Sequence, residues 1–427
     1  MSDVRRVEPT STLKGEVRVP GDKSSSHRAL LLAALASGES DIAGLSPGDD
    51  VRATATIVAA LGAEVSFSPE KTYVRGPEEG LRVSDAPLDC ANSGTSMRLL
   101  AGVTSTIEGT HVLVGDASLS KRPMDRVALP LASMGAVIEG QGPRVTAPLR
   151  VTGRSALQGI SYHVPVASAQ VKSAILFAGL GATGTVTIKE DVCTRRTTED
   201  MFHRAGLALK VEDLGEGRVV TLHPGRPTAT SWLVPGDPSQ AAFFCVLGVI
   251  HHDARIEVLD IDATPERTGF VGVLQRMGAS LSAHSDRTLL SLVAESSSLH
   301  ATEIHAHEIP SVDEVPVLAV AAAAASGVSA FRGMGELRLK ESDRFTGSID
   351  LAKRLGCQVW SDGDDFFIEG LTSAQRFAHF EVDGDLDHRM VMSSAVAGAA
   401  GQGCVINGAA TVSSSYPTFF DELTRLQ

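Results

Sequence analysis

Aromatic residues are scarce: Phe, Trp and Tyr make up 4% of the 427 residues, so Ala, Val, Leu and Gly must do most of the packing. Cysteine is sparse as well. Cys90, Cys193, Cys245, Cys357 and Cys404 are odd in number and far apart, with no C-x-x-C pair, which argues against a disulfide framework or zinc knuckle and fits a reducing compartment. Cations are outnumbered, 38 Lys plus Arg against 51 Asp plus Glu, a formal charge of −13; neither nucleic acid nor an anionic membrane is an expected partner. Long apolar runs are missing. The opening MSDVRRVEPTSTLKGEVRV holds no apolar export-signal stretch, and the later Ala-rich runs are broken by Gly or charge before reaching about 20 residues. A cytoplasmic protein is expected. No H-E-x-x-H, Walker loop or G-x-S-x-G occurs, and the pairs His251/His252 and His305/His307 lack a third ligand at suitable spacing. No metal and no cofactor are expected.

At this length one hydrophobic core is not expected to suffice, so two domains or a repeated unit are anticipated. A repeat is visible. A turn rich in Pro, Gly, Ser or Asp leads into an Ala/Leu helix, a Gly and a β-prone run, in segments starting near Pro20, Cys90, Pro165, Pro235, Pro310 and Asp385, spaced 70 to 75 residues apart. A second helix recurs in register and ends at Gly62, Gly135, Gly206, Gly278 and Gly356, each followed by an alternating strand; Gly suits the left-handed position that closes a helix. The sixth copy stops before its Gly and strand, and the N-terminal strand Glu16 to Val19 is expected to complete it, tying the termini together. The fold class read from this is α/β: two similar lobes of three β/α units each, one built from residues 1–19 and 235–427, the other inserted as residues 20–234.

Packing alone leaves helix starts free to vary, yet these carry Lys23, Ser24, Arg28, Asn92, Arg98, Ser168, Gln170, Asp313, His388 and Arg389. Helix N-termini present unpaired N–H groups and positive partial charge, so several converging would form an anion site despite the acidic total. Further cations occur in loops: Lys121 and Arg122, Arg195 and Arg196, and Arg338, Lys340 and Arg344. Asp313 and Glu341 are acids in this cationic company. Nearby cations would hold such an acid ionised as a base, and desolvation would push it toward acid function, so both roles stay open at this point. A repeat scaffold that only binds an anion is the non-enzymatic alternative.

At these residues the sequence resembles the enolpyruvyl transferase family, in the bacterial branch whose acceptor is shikimate 3-phosphate. VPGDKSSSHR, NSGTSMR, GDASLSKRPM, ASAQVKSA, DEVPVLAVAAA, LRLKESDR and DHRMVMS occur in family order and span nearly the whole chain. The resemblance implies the enolpyruvyl transferase fold, an inside-out α/β barrel, with the site in a cleft between the lobes. It implies transfer of the enolpyruvyl group of phosphoenolpyruvate to the 5-hydroxyl of shikimate 3-phosphate by a monomer, with glyphosate a competitive inhibitor. Lys23, Ser24, Arg28, Ser168, Ala169 through its backbone, Gln170, Arg195, Asp313 and Lys340 would bind shikimate 3-phosphate. Lys23, Gly94, Arg122, Gln170, Arg344 and Arg389 would bind phosphoenolpyruvate. Catalysis would fall to Asp313, Glu341, Lys340, Lys23 and His388, with Asp313 and Lys340 on the hydroxyl and Glu341 on the carbon proton. Arg122 and Arg344 are expected as exposed ligand-binding groups.

The chain departs from the family pattern at Arg196 and Thr197, where relatives commonly carry Asp-His, at Pro238 and Gln240, and at Ser414, a lysine in many relatives outside this branch. These positions bear on phosphate-loop geometry, efficiency and acceptor choice. The rival enzyme reading is the branch acting on a UDP-N-acetylhexosamine, whose mobile loop usually carries a reactive cysteine; residues 116–124 here contain none.

Overall fold

The computed structural model describes residues 3–286, 289–384 and 387–427; the expected start of the sixth segment at Asp385 lies outside them. The chain divides into two compact units, a terminal one made of Met1–Asp22 and Pro235–Gln427 and an inserted one, Lys23–Val234. Residues 20–22, placed by sequence with the inserted lobe, go with the terminal unit. The Asp22 amide donates to the Pro235 carbonyl and the Asp237 amide to that of Pro20, and one Arg267 nitrogen reaches both the Asp22 and Asp237 carboxylates at 2.5 and 2.6 Å.

The inserted unit contains α1 (Lys23–Leu35), α2 (Asp49–Ala60), α3 (Gly94–Thr104), α4 (Asp125–Ser133), α5 (Ala169–Gly179) and α6 (Thr197–Arg204). Helices α1, α3 and α5 are buried nearly all round, their polar first turns included, and are therefore interior, whereas α2, α4 and α6 bury one stripe. Ser93 and Ser168 cap α3 and α5, accepting from the Ser96 and Val171 amides. Each outer helix stops at its repeat glycine: Gly62, Gly135 and Gly206, like Gly278 and Gly356 in the other unit, have positive φ, the left-handed geometry in which a Cβ is unfavourable. The three four-stranded sheets share one strand order. In the second, Gly109–Val114 pairs antiparallel with Thr146–Gly153, which pairs with Val137–Gln141, while Leu88–Asp89 runs parallel on the outside. The corresponding outside strand of the first sheet, Trp232–Leu233, comes from the far end of the unit and closes it.

The terminal unit repeats the scheme with α7 (Pro238–Ile250), α8 (Gly269–Arg276), α9 (Val315–Ala324), α10 (Arg344–Arg354), α11 (His388–Ala400) and α12 (Phe419–Arg425); the odd-numbered helices are again interior. One group of its aromatics lies where α7 meets the C-terminal segment, with Phe244 against Tyr416 and Phe419, and another joins Phe366 to Phe331 and Phe345. The sixth sheet is completed by Val4–Val7, antiparallel to Cys404–Asn407, and not by Glu16 to Val19. Pro9 and the polar residues after it split the N-terminal stretch into two strands, and the second, Leu13–Val17, joins Ala254–Asp262 in parallel in the fourth sheet. Both segments still meet the C-terminal part of the chain, since the Lys14 amide donates to Leu426. Among the described residues the strands form six separate sheets and no closed barrel. No described helix is long and apolar enough to cross a membrane.

Candidate active site

In the terminal unit the polar residues at the starts of α9, α10 and α11 form one ionic cluster. Arg344, the first residue of α10, is fully buried. Its guanidinium is gripped by Asp387 through Nε at 2.7 Å and a second nitrogen at 3.1 Å, by Asp313 at 2.8 Å and by Glu341 at 2.6 Å. Lys340 stands 3.5 Å from Asp313 and donates to the Ser311 carbonyl at 2.8 Å. Arg389 lies 3.5 Å from the other Asp313 oxygen, and its buried NH1 has no protein partner among the described residues. His388 shares a contact of 3.2 Å with Ser414. Val312, just before Asp313, sits at φ 51°; a β-branched residue there is strained, as is common where a side chain must be aimed for function.

Burial opposes ionisation of Asp313, but the combined fields of Lys340, Arg389 and Arg344 outweigh it and hold the carboxyl far below the usual carboxylate range. The choice the sequence left open falls, for Asp313, on the ionised form. Burial likewise opposes ionisation of Asp387, and Arg344 overcomes it. The expectation of an exposed Arg344 is overturned, because acids from three separate elements enclose its fork. Arg122 is also buried, at 7% exposure.

The inserted unit gathers a second set where α1, α3 and α5 begin. The side chain of His27 spans Thr54 and Ser93 at 2.8 and 3.0 Å. Lys23 is ion-paired with the buried Asp50. Arg122 donates to Asn92 at 2.8 Å, Arg98 to Gln170 at 2.6 Å, and Gln170 to Thr95 at 2.8 Å. Gly94 opens α3 beneath two of these cations: a Cβ there would lie 2.8 Å from an Arg98 nitrogen and 3.0 Å from one of Arg122. Arg28 donates to Thr198, Ser173 and the Ser24 carbonyl at 2.6, 2.8 and 2.9 Å. Ser24, Ser168, Ala169, Gln170 and Arg195 are all partly exposed in the same unit.

The sequence matches the model of the family described as EPSP synthase (3-phosphoshikimate 1-carboxyvinyltransferase) over residues 7–423. The chain belongs to this family. Relatives include the 3-phosphoshikimate 1-carboxyvinyltransferase of Synechococcus sp. (strain RCC307), 41% identical over 97% of both chains, and that of Gluconobacter oxydans (strain 621H), 40% identical over 97% of this chain and 95% of the relative. EPSP synthase from Acinetobacter baumannii superposes with a TM-score of 0.85 at 36% identity, covering 99% and 98% of the two chains. The enolpyruvyl transferase NikO from Streptomyces tendae shares the fold, with a TM-score of 0.77 at 17% identity over 99% and 97%. The fold is thus the two-unit α/β fold of the enolpyruvyl transferases. The chain is an enzyme of enolpyruvyl transfer in the shikimate pathway.

Against that family background the departures take on a definite geometry. Arg196 faces Asp200 and Asp213 at 3.8 and 3.9 Å, and Thr197 starts α6. Pro238 occupies the first turn of α7, where its missing N–H costs nothing, behind an Asp237 cap that accepts from Ser239 at 2.9 Å. Gln240 donates to Ser415 at 3.1 Å. Sequence reasoning missed Asp50 and Asp387 as partners of the site cations. Asp50 is one of two acids in the first turn of α2, and no spacing signal distinguishes it; Asp387 opens DHRMVMS, and its position at the cap of α11 is the available clue.

Proposed function

We propose that the two clusters act on one pair of substrates, phosphoenolpyruvate and shikimate 3-phosphate. The observation that carries this is the terminal-unit cluster: an acid kept ionised among Lys340, Arg344 and Arg389, beside an arginine nitrogen that is buried without a protein acceptor. Lys23, Arg122, Arg344, Arg389, Gln170 and the Gly94 backbone hold phosphoenolpyruvate. Ser24, Arg28, Ser168, Ala169, Gln170 and Arg195 hold shikimate 3-phosphate, with Lys23, Asp313 and Lys340 reaching it as well.

In the transfer the 5-hydroxyl oxygen bonds to C2 of phosphoenolpyruvate while C3 gains a proton, giving a tetrahedral intermediate. C3 then loses a proton, the C2–O bond to phosphate breaks, and the hydroxyl proton leaves with the phosphate. Asp313 accepts the hydroxyl's hydrogen bond and Lys340 sits beside it to take up developing negative charge; Glu341 exchanges the C3 proton. His388 lies next to Arg389, and its contact with Ser414 orients its ring. Fixed cations stabilise the anionic charge of both steps better than water does. Bonds are exchanged without net oxidation, so no redox cofactor is required, and the lysine and arginine cations supply the charge stabilisation. The enzyme works as a monomer in the cytoplasm, and glyphosate competes with phosphoenolpyruvate.

Phosphate release from phosphoenolpyruvate, with shikimate 3-phosphate and UDP-N-acetylglucosamine offered separately, tests the assignment. Release with the first acceptor alone is expected; release with the sugar nucleotide alone would move the chain to the other branch.

A further inference from the structure

Lys172, on α5 two residues after Gln170, is fully buried, and its ammonium lies 2.8 Å from Glu190 and 2.6 Å from Glu199, both also buried. A lysine is almost never enclosed without such partners. The two acids come from opposite ends of one loop: Glu190 ends the strand Val186–Glu190 and Glu199 lies in the first turn of α6. Arg195 lies between them. The loop is tied further inside this frame, for the Thr194 hydroxyl donates to Glu190 and its carbonyl accepts from Arg218 at 2.9 Å. Next to Lys172 on α5, Ser173 contacts Thr198 at 2.6 Å, the same hydroxyl that accepts from Arg28.

A buried ion triad is a poor device for stability, since well-packed neutral groups of the same volume usually do as well. What one ammonium between two carboxylates does well is fix the distance between the ends of a loop, and here relative to the helix that carries Ser168 and Gln170. We propose that Lys172 is a positioning residue for the acceptor's phosphate, locking the loop so that Arg195 and, through Thr198 and Ser173, Arg28 are held in binding geometry. This rests on the assignment of Arg195 and Arg28 to shikimate 3-phosphate.

The test uses full-length enzyme in three forms: Arg195→Ala as reference, the neutral triple variant Lys172→Met/Glu190→Gln/Glu199→Gln, which leaves no unpaired buried charge, and the single Glu199→Gln. KM for each substrate, kcat and the thermal midpoint are measured. The triple variant is expected to raise KM for shikimate 3-phosphate about tenfold, within the range of a lost charge-assisted contact, while KM for phosphoenolpyruvate stays within about twofold; the single variant should raise it about threefold. A merely structural triad would lower the thermal midpoint and leave both KM values alone. If Arg195→Ala raises KM for shikimate 3-phosphate and folded triple or single variants do not, the role of Lys172 is overturned while the binding assignment stands. If Arg195→Ala itself leaves that KM unchanged, the assignment fails and the inference falls with it.

Discussion

Gly94→Ala should separate stability from activity. The added Cβ would lie 2.8 Å from Arg98 and 3.0 Å from Arg122, whereas a relaxed contact is about 3.5 Å, so each guanidinium must retreat by roughly half an ångström. Arg98 is fastened to Gln170 at 2.6 Å and Arg122 to Asn92 at 2.8 Å, and displacement weakens these links as well as the grip on phosphoenolpyruvate. A charge-assisted contact contributes about 1.5–3 kcal/mol; losing part of it should lower kcat/KM for phosphoenolpyruvate about 5- to 30-fold. If glyphosate competes for the phosphoenolpyruvate site as proposed, it is the longer ligand and should lose more affinity than the substrate. The fold should not suffer, because Gly94 does not use a positive φ and Ala favours helix over Gly by up to about 1 kcal/mol. Steady-state kinetics, inhibition constants and thermal unfolding decide it. A lower midpoint with equal losses for substrate and inhibitor would refute the reasoning and make Gly94 a backbone requirement.

Arg344→Ala strips the cation from buried Asp387 and from Asp313 and Glu341, and should cost about 3–5 kcal/mol of stability besides activity; Arg122→Ala should keep the fold and lose about 10- to 150-fold in kcat/KM. Denaturant titration of the two variants separates them, and equal midpoints would contradict the enclosure of Arg344. Asp313 has a depressed folded pKa, so its stabilisation is complete above the unfolded carboxylate value near 3.9 and is lost as pH falls through the lower folded one. The stability difference between wild type and Asp313→Asn should therefore be constant above about pH 5 and shrink below it; a difference that grows on acidification would reverse the sign. Arg267→Met leaves Asp22 and Asp237 buried without their shared cation, and urea unfolding should show a loss of about 3–5 kcal/mol, with a loss below about 1 kcal/mol counting against the clasp.

The repeat was legible because glycine geometry and helix caps are local: the five glycines at positive φ and Ser168 at the start of α5 stand where the pattern put them. Strand partnership is not local. Val4–Val7 reads VRRV, too short and charged to announce itself, and only its pairing with Cys404–Asn407 gives it a place. The cations of the site were visible as residue types, and so were Asp313 and Glu341, but Asp50, Asp387 and the contacts that join acid to cation were not. Arg344 at a helix start defaults to the surface, and what buries it is the arrival of Asp313, Glu341 and Asp387. Lys172 and Glu199 are likewise separated by a strand and a loop, a distance at which no sequence period joins them.

The most direct test of one transfer served by both units follows phosphoenolpyruvate labelled with ¹³C at C2 by NMR in the presence of shikimate 3-phosphate. Wild-type enzyme should convert the label to an enol ether on the 5-oxygen, one for each phosphate released. Arg122→Ala from the inserted unit and Asp313→Asn from the terminal unit should each suppress that signal. Phosphate released with labelled pyruvate in place of the enol ether, or an unchanged rate in either variant, would contradict the account.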